Sequence, residues 1–264
     1  MQRIVSSLVG APILILIVYL GGTSSFFLVA AVATGLGCLE LKGMFEKAGR
    51  PFSSRLGLPF SLFLLFSFYW ERVEFVPFLL LLLLLGLLVF TSDQKTGPAR
   101  AFEAAANTFL GVGYVALCLG CLVLVRGLDA HGFLVFFVLA ATWSGDTLAY
   151  YTGSWLGKRP LAPRISPKKT IEGALGGLAG SLTGGAAVKF FLLPGMPLSH
   201  ALILSLLCGV FGQMGDLAES MIKRSLGAKD SGTILPGHGG LLDRMDGVFF
   251  SAPVFYFYYT LVLL

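Results

Sequence analysis

Charge is scarce in this chain. Only 33 of its 264 residues are Asp, Glu, Lys or Arg, while 56% are hydrophobic. With a mean hydropathy of +0.84, this balance excludes an ordinary soluble domain, in which about a quarter of residues are charged. Cysteine is scarce too: the four are Cys38, Cys118, Cys121 and Cys208, all inside apolar segments. Cys118-x-x-Cys121 has redox or zinc spacing, but nothing nearby supplies further ligands, so all four read as apolar packing. No Walker A or dinucleotide fingerprint occurs, and there is no fixed-period repeat and no inserted soluble domain. The first apolar run lacks a convincing small-residue cleavage site and is expected to be a retained membrane anchor.

What is abundant is apolar sequence of membrane-crossing length. Nine segments stand out, near 4–20, 24–41, 56–70, 75–90, 104–125, 132–151, 173–193, 200–217 and 247–264. A helix needs about 20 predominantly apolar residues to cross a bilayer, and the 34 glycines suit closely packed membrane helices. The expected fold class is an all-α integral membrane protein with about nine transmembrane helices. Residues 1–131 would hold about five spans. Residues 132–264 would form a catalytic half with cytoplasmic loops at 152–172 and 218–246. If the N-terminus is inside, the inner loops carry sixteen of the 19 Lys and Arg residues, and the outer loops only Arg72 and Arg126. The positive-inside rule then places the N-terminus in the cytoplasm and the C-terminus outside, with an odd number of spans. The net charge of +5 therefore gathers on one face. It implies anionic headgroups or phosphorylated substrates, and no nucleic acid partner is expected.

The scarce charge is also concentrated. Between Asp216 and Asp246, nine of 31 residues are charged, although apolar segments flank the stretch on both sides. Ionisable groups at a membrane are costly and are functional candidates by default. Asp243 and Asp246, spaced i, i+3, project from one helical face and repel unless a proton or cation lies between them. Hard oxygen ligands at an aqueous edge favour magnesium; Asp216, with Glu219 and Ser220 one turn on, adds oxygens. An interfacial pair salt-bridged to Arg244 and Lys223 explains the spacing equally well. Lys223, Arg224, Lys229 and Arg244 interleave with these acids. Snorkelling accounts for basic residues at helix ends, whereas phosphoryl or nucleotidyl transfer accounts for the interleaving. Pro236-Gly237-His238-Gly239-Gly240 reads as a tight turn whose exposed amides suit phosphate, with His238 as a phosphate or proton-transfer group.

Two further places carry polar groups. Ser166-Pro167-Lys168-Lys169-Thr170 sets two lysines and two hydroxyls beside one turn, as a polybasic lipid-facing loop or a substrate contact. Asp146 stands in an apolar helix with no basic residue one turn away, so its partner comes from another segment or a cation.

These residues carry a resemblance. The run Ser220-x-x-Lys223-Arg224-x4-Lys229-Asp230-x-Gly232, followed by Pro236-x-His238-Gly239-Gly240-x-x-Asp243-Arg244-x-Asp246, resembles the signature of the phosphatidate cytidylyltransferases, or CDP-diacylglycerol synthases. Residues 166–173 and the Asp146 segment resemble the same family, so the likeness covers the C-terminal half. It implies an integral membrane enzyme of phospholipid biosynthesis that converts CTP and phosphatidic acid to CDP-diacylglycerol and pyrophosphate. It also implies magnesium dependence, potassium as a second metal, nine helices and a homodimer. Carried onto this chain, Asp216, Asp243 and Asp246 become metal ligands, with Asp146 an additional candidate. Asp243, Asp246, Lys223, Arg244 and His238 become the catalytic set. Ser166, Lys168, Lys169, Thr170, Ser220, Arg224, Lys229, Gly239 and Gly240 become substrate contacts. The short loops favour a bacterial plasma (inner) membrane, with the active site facing the cytoplasm.

Other readings compete. A CTP-dependent polyprenol or dolichol kinase shares the nucleotide, the metal and the membrane body, but releases CDP instead of pyrophosphate. A CDP-alcohol phosphotransferase would carry a different Asp-Gly-x-x-Ala-Arg run, absent here. A transporter accommodates Asp146, Lys189 and the glycines, but transporter sites lie near the midplane between matching halves, and the N-terminal half has no matching cluster.

Overall fold

The computed structural model describes residues 12–92, 97–232 and 239–264, and these are almost wholly helical. A helical stretch at 12–20 (α1) leads into α2 (Gly22–Lys47), α3 (Ser54–Tyr69) and α4 (Val76–Ser92). Helix α5 (Pro98–Val112) runs through a π-helical turn at Gly113–Leu117 into α6 (Cys118–Gly127) without a break. Then come α7 (Phe133–Leu156), α8 (Ile171–Phe191), α9 (Leu198–Ser225) and α10 (Leu242–Tyr258).

Six of the described helical stretches are long and apolar enough to cross a membrane: Gly22–Lys47, Val73–Thr91, Pro98–Gly127, Phe133–Leu156, Leu198–Ser225 and Leu242–Leu263. The chain is an all-α integral membrane protein. The shorter α3 is also apolar. Leu81, Val89 and Phe90 of α4 are all at least half exposed, as befits side chains solvated by lipid. All four cysteines are free, and three are buried.

The helices differ from expectation at their ends. Helix α7 continues to Leu156, and α9 extends two turns beyond 217, into what reads in sequence as loop. Asp216, Glu219 and Lys223 therefore lie on a helix, one turn apart. Between α7 and α8 the chain forms a small antiparallel ribbon of β1 (Pro160–Ala162) and β2 (Ser166–Thr170), the one departure from an all-helical chain among the described residues. Its base is tied down by Glu172, which accepts hydrogen bonds from Lys158 N (3.0 Å), Arg159 N (3.2 Å) and Arg159 Nε (3.1 Å). The Thr170 hydroxyl caps α8 by accepting from Gly173 N at 3.1 Å, as Thr does at a helix N-terminus.

Helices α7–α10 pack through small residues. Ser144 Oγ reaches across to the Gly180 carbonyl at 2.8 Å, Gln213 Nε2 to Ala174 O at 3.0 Å, and Ser251 Oγ to Cys208 O at 2.9 Å. Such bonds contribute roughly 0.6 kcal/mol each in membranes, so close van der Waals approach carries most of the packing. Gly215 shows how close: a Cβ there would lie 2.3 Å from the Asp246 carbonyl oxygen. This contact brings the polar end of α9 against the start of α10.

Candidate active site

Three carboxylates converge where α9 meets α10. Asp216, Glu219 and Asp246 each present an oxygen, and these lie within 4.8 Å of one another. Asp216 and Glu219 come from consecutive positions on one face of α9, while Asp246 is brought in by the Gly215 contact. Glu219 is 1% exposed, and its Oε1 has no hydrogen-bond donor among the described residues. Lys223 Nζ lies 2.5 Å from Glu219 Oε2 and donates to Asp243 Oδ1 at 2.7 Å. Lys169, from the ribbon, pairs with Asp216 at 2.5 Å.

Asp146 joins from α7. It lines a cavity of about 530 Å³ together with Asp216, Lys168, Lys169, Thr170 and Gln213. Among the described residues, the acids in this region, Asp146, Asp216, Glu219, Asp243 and Asp246, outnumber Lys169 and Lys223, the lysines paired with them. Carboxylates at this spacing repel unless a proton or a cation intervenes. An all-oxygen set at the edge of a cavity fits a hard divalent cation.

Asp243 is differently engaged. Its Oδ2 accepts from Ser231 N, Ser231 Oγ and Gly240 N, each at 2.9 Å, while Oδ1 faces Lys223. It thus organises the loop ahead of α10, and the close carboxylate group contains Glu219 in its stead. The Gly240 amide, expected to be free for phosphate, is donated to Asp243. Gly239 has a φ of +84°, which a side chain rarely adopts, and a Cβ there would approach Asp243 Oδ2 to 2.8 Å.

The other expected residues are distributed around this centre. Ser166, Lys168, Lys169 and Thr170 form β2, and the last three border the cavity beside Asp146. Ser220 Oγ lies 3.5 Å from Asp216 Oδ1. Arg224 is exposed and donates to the Ala228 carbonyl at 3.0 Å, with Lys229 exposed just beyond. Arg244 is exposed on α10, between the two aspartates. His238, with Pro236 and Gly237, lies outside the described residues.

Two groups from the N-terminal half escaped the sequence reading. Glu40 of α2 is 5% exposed and accepts hydrogen bonds from Leu241 N, Leu242 N and Ser231 Oγ. It falls inside the apolar segment 24–41, where a carboxylate is as costly as Asp146 is in its own helix, and that cost is its signal in the sequence. Tyr114, on the π-helical turn, has a buried hydroxyl without a hydrogen-bond partner among the described residues. Its ring meets Phe249 of α10 edge-on, with centroids 5.1 Å apart. An isolated Tyr in an apolar run offers no sequence signal.

This arrangement agrees with what the chain matches. The profile of the Cytidylyltransferase family covers residues 1–262. The chain belongs to that family. It is 36% identical to the phosphatidate cytidylyltransferase of Brucella melitensis over 97% of this chain and 92% of that protein. The phosphatidate cytidylyltransferase of Bacillus subtilis is 39% identical over 65% of this chain and 64% of that protein. That of Synechocystis is 48% identical over 47% of this chain and 42% of that protein. The match reaches into the N-terminal half, where the sequence motifs do not. This cytidylyltransferase-family chain is a membrane-embedded nucleotidyltransferase, and its polar seam lies in the half that carries the motifs.

Proposed function

We propose that this chain is a phosphatidate cytidylyltransferase that joins CTP and phosphatidic acid into CDP-diacylglycerol and pyrophosphate on the cytoplasmic side of a bacterial inner membrane. The observation that carries the reading is the convergence of Asp216, Glu219 and Asp246 beside a cavity bordered by Lys168 and Lys169. Two anionic reactants need such a combination of acid and base. The lysines offset phosphate charge, and the carboxylates suit magnesium.

Asp216, Glu219 and Asp246 would hold that cation, and Asp146, which lines the same cavity as Asp216, is a further candidate ligand. When bound, magnesium neutralises charge between the phosphates of the two substrates. A potassium ion sharing the acid cluster and a homodimeric assembly are part of the same reading. The chain's own residues position. The ribbon, held at its base by Glu172, presents Lys168 and Lys169 to the cavity. Lys169 must exchange its contact with Asp216 for phosphate as substrates enter. Lys223, held between Glu219 and Asp243, fixes the spacing of α9 and α10. His238, Arg224, Lys229 and Arg244 are the further candidates for steadying the nucleotide phosphates.

The reaction needs no covalent enzyme intermediate, because a phosphate monoester is already a nucleophile. A phosphatidate oxygen forms a bond to the α-phosphorus of CTP as the bond to the bridging α–β oxygen breaks. Pyrophosphate leaves in line with that electron pair. Catalysis then rests on holding two anions together in line.

The test is direct. Purified protein in phosphatidic acid-containing micelles should transfer label from [α-³²P]CTP to lipid and release one pyrophosphate per turnover. Release of CDP, or label reaching lipid only from the γ-phosphate, would replace the reading with that of a lipid kinase.

A further inference from the structure

Glu40 is the buried acid that this mechanism does not use. It stands on α2, about 200 residues before the loop it contacts, and both of its oxygens are committed. Oε1 accepts from Leu241 N at 2.7 Å, and Oε2 accepts from Leu242 N at 3.0 Å. Ser231 Oγ lies 3.0 Å from Glu40 Oε2 and 2.9 Å from Asp243 Oδ2. One hydroxyl hydrogen therefore serves two carboxylates. Glu40 also presses on the glycines of this loop. A Cβ at Gly240 would lie 2.5 Å from Glu40 Oε2 and 1.9 Å from Ser231 Oγ, and one at Gly232 would lie 3.0 Å from Glu40 Oε1.

The consequence lies in what these bonds hold. Leu241 and Leu242 open α10, a helix that has no side-chain cap from its own preceding residue. Backbone N–H groups at a helix start need acceptors, and a carboxylate there also meets the positive end of the helix dipole. Asp243 is on the first turn so anchored, and Asp246 is one turn later. Helix α9 reaches α10 through Gly215 and Lys223, whereas Glu40 accepts the two backbone N–H groups that open α10.

We propose that Glu40 is a positioning residue for the reaction: the N-terminal half reaches across to the catalytic half and sets the placement of Asp246 against Asp216 and Glu219. The proposal rests on the reading that those three carboxylates bind a divalent cation. It assigns to α2 a part in catalysis although α2 contributes no group to the cavity or to the carboxylate cluster.

The experiment uses the full-length protein in detergent, as wild type, Glu40→Gln, Ser231→Ala and Asp246→Asn. Mn²⁺ affinity is measured without nucleotide from the loss of the free-ion EPR signal. The melting temperature and the kcat with CTP and phosphatidic acid are measured beside it. Glu40→Gln should weaken Mn²⁺ binding and kcat by about 10–100-fold, the cost of disturbing groups that orient metal ligands. Ser231→Ala removes the shared hydroxyl without emptying the carboxylate site, should lower both by less, and carries the test if Glu40→Gln does not fold. Wild-type Mn²⁺ affinity in the folded Glu40→Gln protein, whatever its melting temperature, overturns the proposal by reducing Glu40 to a helix cap. If Glu40→Gln does not fold, unchanged affinity in Ser231→Ala overturns it likewise. The metal reading itself fails, and the proposal with it, if Asp246→Asn binds Mn²⁺ as tightly as wild type.

Discussion

The interface of α3, α4 and α5 and the interface of α9 and α10 are both made by apolar helices, the first set the more apolar, and they solve burial differently. The first closes over Leu64, Leu83, Leu87, Ala105, Val112 and Ala116. Its polar side chains turn back on their own helices: Ser61 to Leu58 O, Ser67 to Leu64 O, Thr91 to Leu87 O and Thr108 to Ala104 O. No partner helix is needed to satisfy those donors. The second buries Glu219, Lys223 and Ser220; Lys223 pairs with Glu219 on its own helix and also donates to Asp243 of α10. Polar atoms shielded from water are costly unless paired, so the second interface, with its part-buried Lys223–Asp243 bond, depends more on its neighbour's register than the first, where Thr108 accepts from Ser53 N at the start of α3. Glu40 is the instructive exception. It is a buried acid from the N-terminal half, and its acceptors are spent on the catalytic half.

Substitutions can break this contrast, and the largest effect should come at the carboxylates. Asp246→Asn should leave a folded membrane protein with kcat down roughly 10²–10³-fold, comparable to losing a preorganised charge-stabilising group. Lipid-bound cytidylate made from labelled CTP measures it, and near-normal turnover at ordinary magnesium would remove the metal assignment. Lys223→Met should cost about 3–5 kcal/mol of stability, because it strands Glu219 and Asp243 without their shared cation. The midpoint of thermal unfolding in detergent checks this, and an unchanged midpoint would show that the pair is not coupled to folding. Gly215→Val should push α10 from α9 and cost roughly 1–3 kcal/mol through overpacking, with a loss of metal affinity that Gly86→Val on α4 should not show. The smallest effect belongs to the lipid-facing surface. Leu81→Ala on α4 should shift stability by under about 0.5 kcal/mol and leave turnover unchanged; a tenfold loss of rate would mean that this face meets something other than lipid.

The candidate site was legible where chemistry violates its surroundings. Asp146, Asp216 and Asp246 are acids beside long apolar runs, and the physical cost of placing them there marks them without any coordinates. Glu219 was visible as an i, i+3 companion of Asp216, but its place in the carboxylate cluster was not. That depends on α9 continuing as helix past Asp216, which charge in the sequence disguises as loop. Asp243 looked equivalent to Asp246 by spacing. The fold separates them, because Ser231 and Gly240 deliver three donors to one Asp243 oxygen. The ribbon at 160–170 was equally hidden: a short pair of strands has no periodicity to detect.

The amino-acid order alone determined that this chain lives in a membrane, that its helices are many, and that its acids and bases gather near one end of its catalytic half. Hydrophobic length and the cost of buried charge are local properties, readable one segment at a time. Only the tertiary structure decided which carboxylates meet, that Lys223 is shared between Glu219 and Asp243, and that Glu40 reaches the start of α10. Those outcomes depend on close approach between distant segments, set by the absence of a Cβ at Gly215 and Gly240, and no single segment contains that information.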